Sequence, residues 1–194
     1  MKTTVYIILS IIILLCPCAY YLETASIETI EDIKALSSPQ KIFTHPEFQP
    51  TPWKRKLDIT YKIKRIKHDT EIPAIELATC IVDLADKYRL DPEMVLAVMA
   101  TESMFKPDVI SSTGDHGLMQ INKQWWFAEL KKQGIVRSPA DLLRIETNIE
   151  AGCFILAKIS QHKPLTAAIG DYHSTTPALA AAYTQKVLSK MGEI

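Results

Sequence analysis

Ala100-Thr101-Glu102-Ser103-Met104-Phe105-Lys106-Pro107, followed by Gly117-Leu118-Met119-Gln120-Ile121-Asn122, sets one carboxylic acid at the end of an apolar segment, with a glycine-containing loop after it. Asp91-Pro92-Glu93 opens that segment. Asp91 suits an N-cap, Pro92 the first helical turn, and Glu93 the positive end of the helix dipole. Val95, Val98, Met99, Glu102 and Phe105 recur at helical spacing, which puts Glu102 on or beside an apolar stripe. Pro107 disfavours helix just before it, so Glu102 belongs to the last turns. Apolar neighbours and the negative end of the helix both favour its neutral form. A carboxyl kept protonated near neutrality is what a general acid requires.

Outward from this stretch the pattern is helical and no strand is convincing. Ala74, Leu77, Ala78, Ile81, Leu84, Ala85 and Tyr88 mark a helix before the acid. After it, Asp108 to Gln120 reads as an irregular loop with Gly114 and Gly117 as its flexible points. Lys123 to Lys132 reads as a helix ended by Gly134, and Ser138-Pro139-Ala140-Asp141 as a capping-box start. Asn148 to Gln161 carries Ile149, Cys153, Leu156 and Ala157 on one stripe. Leu165 to Asp171 leads into a loop at Tyr172. The last helix begins at Thr176-Pro177 and repeats Leu179, Tyr183, Val187 and Met191. The expected class is mainly α.

Three motifs in order, Glu102-Ser103, Gly117-Leu118-Met119-Gln120 and Asp171-Tyr172-His173-Ser174, resemble the soluble lytic transglycosylase family, enzymes of goose-type lysozyme-like fold that cut peptidoglycan. The likeness covers about residues 73 to 192. It is strongest to the small members that accompany secretion systems and pili. It implies that Glu102 is the acid/base, that Ser103 supports it, and that Gly117, Leu118, Met119, Gln120 and Tyr172 shape the sugar site. It further implies cleavage between N-acetylmuramic acid and N-acetylglucosamine without a second carboxylate. The substrate's acetamido group would stabilise the developing charge, and a 1,6-anhydro sugar would form. The chain departs from the family twice. His173-Ser174 replaces a commoner Asn-containing continuation. Some members pair a first-helix cysteine, here Cys80, with one before Asn-Ile, but Glu146-Thr147 stands there, so no disulfide carries over.

The residues alone leave alternatives. A glycosidase of the usual kind supplies two carboxylates; Asp115 is the candidate for the second, or it is a turn-forming loop residue. A hydrolase on the same fold and a non-catalytic peptidoglycan-binding module are the rival functions. Trp125 and Trp126 point about 100° apart on a helix, one toward the core and one available to a groove. Cys80 and Cys153 fit apolar helix faces as free thiols, or, in an oxidising compartment, as a bridged pair, since their separation is not readable from sequence. The five histidines show no paired-ligand spacing and the cysteines no C-x-x-C, so no metal is expected; no glycine-rich phosphate loop or dinucleotide motif appears, so no cofactor is expected.

The rest of the chain bounds the setting. Of its 194 residues, 22 are basic and 22 acidic. That balance argues against a nucleic-acid surface. Met1-Lys2 and the apolar run Val5 to Leu15, with no further charge until Glu23, read as a signal peptide or membrane anchor over residues 1–22. The expected location is the periplasm, with or without attachment to the inner membrane, and the expected partners are glycan strands and a secretion or pilus apparatus. Cys16 and Cys18 belong to the leader. Residues 23–72, with Pro39, Pro46, Pro50 and Pro52, read as a linker holding one short helix at Thr29 to Leu36. Within it, Ile59, Tyr61, Ile63 and Ile66 form a short extended or helical piece that leans on the domain. Residues 73–194 are the catalytic domain.

Overall fold

A computed structural model describes residues 50–193. The leader, Cys16, Cys18 and the short helix expected at Thr29 to Leu36 lie outside the described residues. Helices and strands are numbered here within that range. The order is α1 (Pro52–Ile66), α2 (Ala74–Tyr88), α3 (Pro92–Ser103), β1 (Asp115–His116), β2 (Ile121–Asn122), α4 (Lys123–Lys132), a 3-10 turn (Pro139–Leu143), α5 (Ile145–Ser160), α6 (Leu165–His173) and α7 (Pro177–Glu193). Among the described residues no helix is long and apolar enough to cross a membrane.

The centre of the fold is α3. Asp91 caps it by accepting from the Glu93 amide at 2.9 Å, and Pro92 starts it. Every residue from Met94 to Ala100 is buried. The helix is therefore apolar all round, not striped as its spacing suggested, because α1, α2 and α7 pack around it. It stops at Met104, which turns left-handed at φ 50°, and Phe105 continues at φ 64° with its ring fully buried. The chain reverses there, which leaves Glu102 in the last turn.

α1 contains the piece expected to lean on the domain, but it is a full 15-residue helix where a linker was otherwise expected. Thr51 caps it, Ile59 and Ile63 are buried, and both belong to the same core as α2 and α3. Four prolines nearby hide this in the sequence, since the helix starts only at Pro52, which is tolerated in its first turn. Arg55 grips Asp86 of α2 through two bonds of 2.9 and 2.7 Å, and Lys62 pairs with Glu93 of α3. Such partly exposed pairs add little stability beside the two buried isoleucines.

The other helices follow their local signals. Asn122 caps α4 at the Trp125 amide, and the capping box at Ser138 and Asp141 forms as read. Two short strands were not foreseen. Asp115 pairs with Asn122 and His116 with Ile121, making a small antiparallel ribbon. Strands of two residues carry no alternation to read. Cys80 and Cys153 are free, and burial pushes the Cys153 thiol up to about 12.

Candidate active site

Glu102 is half-buried between α3 and α7. Its Oε1 accepts a hydrogen bond of 2.5 Å from the hydroxyl of Tyr183 on α7. Burial drives its pKa up to about 7; the Tyr183 bond and the charge of Lys186 pull it back, and Asp115 adds to the rise. The acid is therefore poised near neutrality by desolvation. Ser103, expected to support it, turns inward and bonds the Met99 carbonyl at 3.4 Å.

Tyr183 is the residue that sequence reasoning missed. Its ring is only 6% exposed. In sequence it is one of four apolar-stripe positions of the last helix. The signal available was a polar-tipped aromatic on a buried stripe, whose hydroxyl must find a partner. That partner lies 81 residues away in the chain.

The Gly117-Leu118-Met119-Gln120 segment is the turn of the β1–β2 ribbon. Gly117 sits at φ 72°, and a Cβ there would lie 2.5 Å from the Asn148 amide nitrogen, so only glycine fits. Asn148, fully within the core at the start of α5, receives the Met119 amide at 2.7 Å and gives its own N–H groups to the carbonyls of His116 and Leu142 at 2.8 and 2.6 Å. Tyr172 closes the other side by donating to the Met119 carbonyl at 2.8 Å. The Leu118 and Met119 side chains are completely buried, and Met119 fills the space over Gly152, where a Cβ would come within 2.7 Å. Gln120 gives its side-chain N–H groups to Val109 and Gly117 carbonyls at 3.1 and 2.9 Å.

The expected sugar-contacting residues are thus brought together, but their polar groups are largely used within the protein. The Leu118 and Met119 side chains belong to the core. Tyr172 lies inside α6 and not in a following loop, and its hydroxyl braces the turn and does not bond Glu102. Asp115 accepts from Ser111, Thr113 and Asn122 at 2.8, 2.5 and 2.6 Å. Burial raises its pKa, but these bonds more than offset that and hold it below the usual range. It is an ionised staple of the ribbon. Trp126 packs partly against the core, while Trp125 is 80% exposed on the first turn of α4. Among the described residues no group of three His, Cys, Asp or Glu side chains could hold a metal ion.

A half-buried acid near neutrality, a phenol donating to it, and a glycine turn pinned by a core asparagine are arranged on a helical domain. The family model described as the transglycosylase SLT domain matches residues 79–187. The chain belongs to this family. Its fold is accordingly the lysozyme-like helical fold expected from the three motifs, and membership supports a transglycosylase-type function. A protein of Escherichia coli O157:H7 described as peptidoglycan-binding-like is 34% identical over 91 residues, which are 42% of this chain and 54% of that protein. The chain therefore spans about half the length of this curated relative. The solved complex of the 70-kDa soluble lytic transglycosylase with bulgecin A aligns with a TM-score of 0.52 at 18% identity, over 73% of this chain and 29% of that one. That likeness is one of fold.

Proposed function

We propose that this SLT-family chain is an exported lytic transglycosylase that cleaves the β-1,4 bond between N-acetylmuramic acid and N-acetylglucosamine in peptidoglycan. The observation that carries the reading is a single carboxyl, Glu102, kept near a pKa of about 7 by burial, beside an Asp115 already committed to three protein donors. Protonated Glu102 gives its proton to the leaving glycosidic oxygen as the C1–O bond breaks. The substrate's acetamido oxygen shares the positive charge at C1. The resulting carboxylate then takes the proton of the muramyl O6 hydroxyl as O6 bonds to C1. The proton returns to Glu102, no water is added, and a 1,6-anhydro end results.

Export rests on the apolar run after Lys2, and the periplasm is the proposed site of action. The motif likeness to small secretion- and pilus-associated transglycosylases supports local opening of the wall for such an apparatus. The test is digestion of purified peptidoglycan by the full chain, with products read by mass. Anhydro-muropeptides are expected, and Glu102→Gln should lower their release at least ~10²-fold while the fold survives. Products heavier by one water would identify a hydrolase. Binding without turnover would identify a non-catalytic module.

A further inference from the structure

His173 is where the third motif departs from its commoner spelling, and its ring has a defined place. The imidazole lies flat on the Tyr183 ring, with centroids 4.6 Å apart and planes within 5°. Tyr183 is the phenol that donates to Glu102 at 2.5 Å. His173 ends α6 and is exposed, whereas Tyr183 is buried. The imidazole thus covers the phenol from the solvent side.

The helix pair holds this stack in register. Gly170, one turn before His173, faces α7 so closely that a Cβ would lie 2.8 Å from the Ala180 carbonyl oxygen. Thr184 of α7 donates to Thr166 of α6 at 3.2 Å. The connecting turn is closed by the Ser174 amide on the Gly170 carbonyl and the Thr176 amide on Ser174 Oγ, both at 3.1 Å. Rotation of a tyrosine ring about its Cβ–Cγ bond has no sharp intrinsic preference. A hydrogen bond, by contrast, weakens steeply with angle. Turning the ring leaves the phenol oxygen on the rotation axis but swings the O–H, which conjugation keeps near the ring plane, so a group stacked on the ring face sets the direction in which the O–H points.

We propose that His173 is a positioning residue: its imidazole plane clamps the Tyr183 ring and so aims the phenol hydroxyl at Glu102. Its importance for turnover rests on the reading above that Glu102 is the acid; its effect on Glu102 itself does not. The Tyr183 bond favours the carboxylate, so a loosened ring lets the Glu102 pKa climb further. The other groups acting on this pair are Lys186 on α7, Asp115 on β1 and Tyr172 on α6. All three stay in place in the variants below.

The experiment follows the Glu102 carboxyl by carbon-13 NMR titration of the full chain labelled at glutamate, with the resonance assigned by its loss in Glu102→Gln. No substrate is needed, so a failure of the transglycosylase reading and a failure of the clamp are separable. Tyr183→Phe should raise the midpoint by about one pH unit, the worth of one hydrogen bond to a charged group. His173→Ala and His173→Gln should each raise it by a sizeable part of that shift. His173→Phe, which keeps a flat ring, should titrate like wild type. In a Tyr183→Phe background, His173→Ala should add nothing. An unchanged midpoint in both His173→Ala and His173→Gln would overturn the clamp. So would equal shifts in His173→Ala and His173→Phe, which would mark a charge effect of the imidazole. A further shift in the Tyr183→Phe background would overturn it as well.

Discussion

At the scale of single residues, a carboxyl held neutral by its surroundings costs stability whenever the solution would rather ionise it. Glu102 has a folded pKa of about 7 against an ordinary 4.5. Below 4.5 both folded and unfolded chains are protonated there, and the site's contribution is whole. As pH rises toward 7 the unfolded chain ionises first, so the folded state loses ground, and above 7 the loss is complete. The gap between 4.5 and about 7 corresponds to at most ~3 kcal/mol, less for the solvent that still reaches this half-buried group. Glu102→Gln should therefore match wild type in urea unfolding at pH 4 and exceed it at pH 8 by up to ~3 kcal/mol. Equal stability of the two proteins at pH 8 would show a well-solvated carboxylate. Asp115 runs the other way: its pKa is depressed, so its contribution is present at neutral pH and is lost as acid protonates it. The position of Glu102 was legible because Asp91, Pro92 and Pro107 bound its helix locally. Tyr183 was not, because nothing near it in sequence points to a partner on α3.

At the scale of elements, the β1–β2 turn is held above all by one core side chain. Asn148 satisfies the Met119 amide and two carbonyls at once. Asn148→Ala leaves three buried polar groups without partners, at ~1–3 kcal/mol each if none finds water. A loss of ~3 kcal/mol or more is expected, with faster hydrogen exchange at the Met119 amide and collapse of turnover. Asn148→Asp should be about as damaging, because it sets a carboxylate oxygen against the carbonyls of His116 and Leu142. Wild-type exchange at Met119 in either variant would show that the turn is held by other means. Elements with strong end signals were readable: Gly134 after α4, and Ser138 with Asp141 before the 3-10 turn. The turn's bracing was not, since its three supports come from α5, α6 and Val109, which meet only in the folded chain.

At the scale of the whole molecule, the family match begins at residue 79, yet the core begins with Ile59 and Ile63 on α1. The prolines around residues 39–52 and the basic surface of α1 suggested a solvated linker with one piece leaning on the domain; the two buried isoleucines of that piece make it part of the core. A protein starting at Pro73 would expose the α2 and α3 surfaces they cover. Each missing isoleucine is worth ~2–5 kcal/mol, a large part of a domain's stability of ~5–15 kcal/mol. The chain from residue 50 should melt cooperatively, and the chain from residue 73 should melt far lower or aggregate on expression. Equal melting temperatures would show that α1 is dispensable. What is inherited as a recognisable module and what folds as a unit thus have different first residues. A chimaera that trades residues 79–187 for a relative's has to supply a first helix that fits the new α2 and α3, or the transplanted part arrives with an open socket.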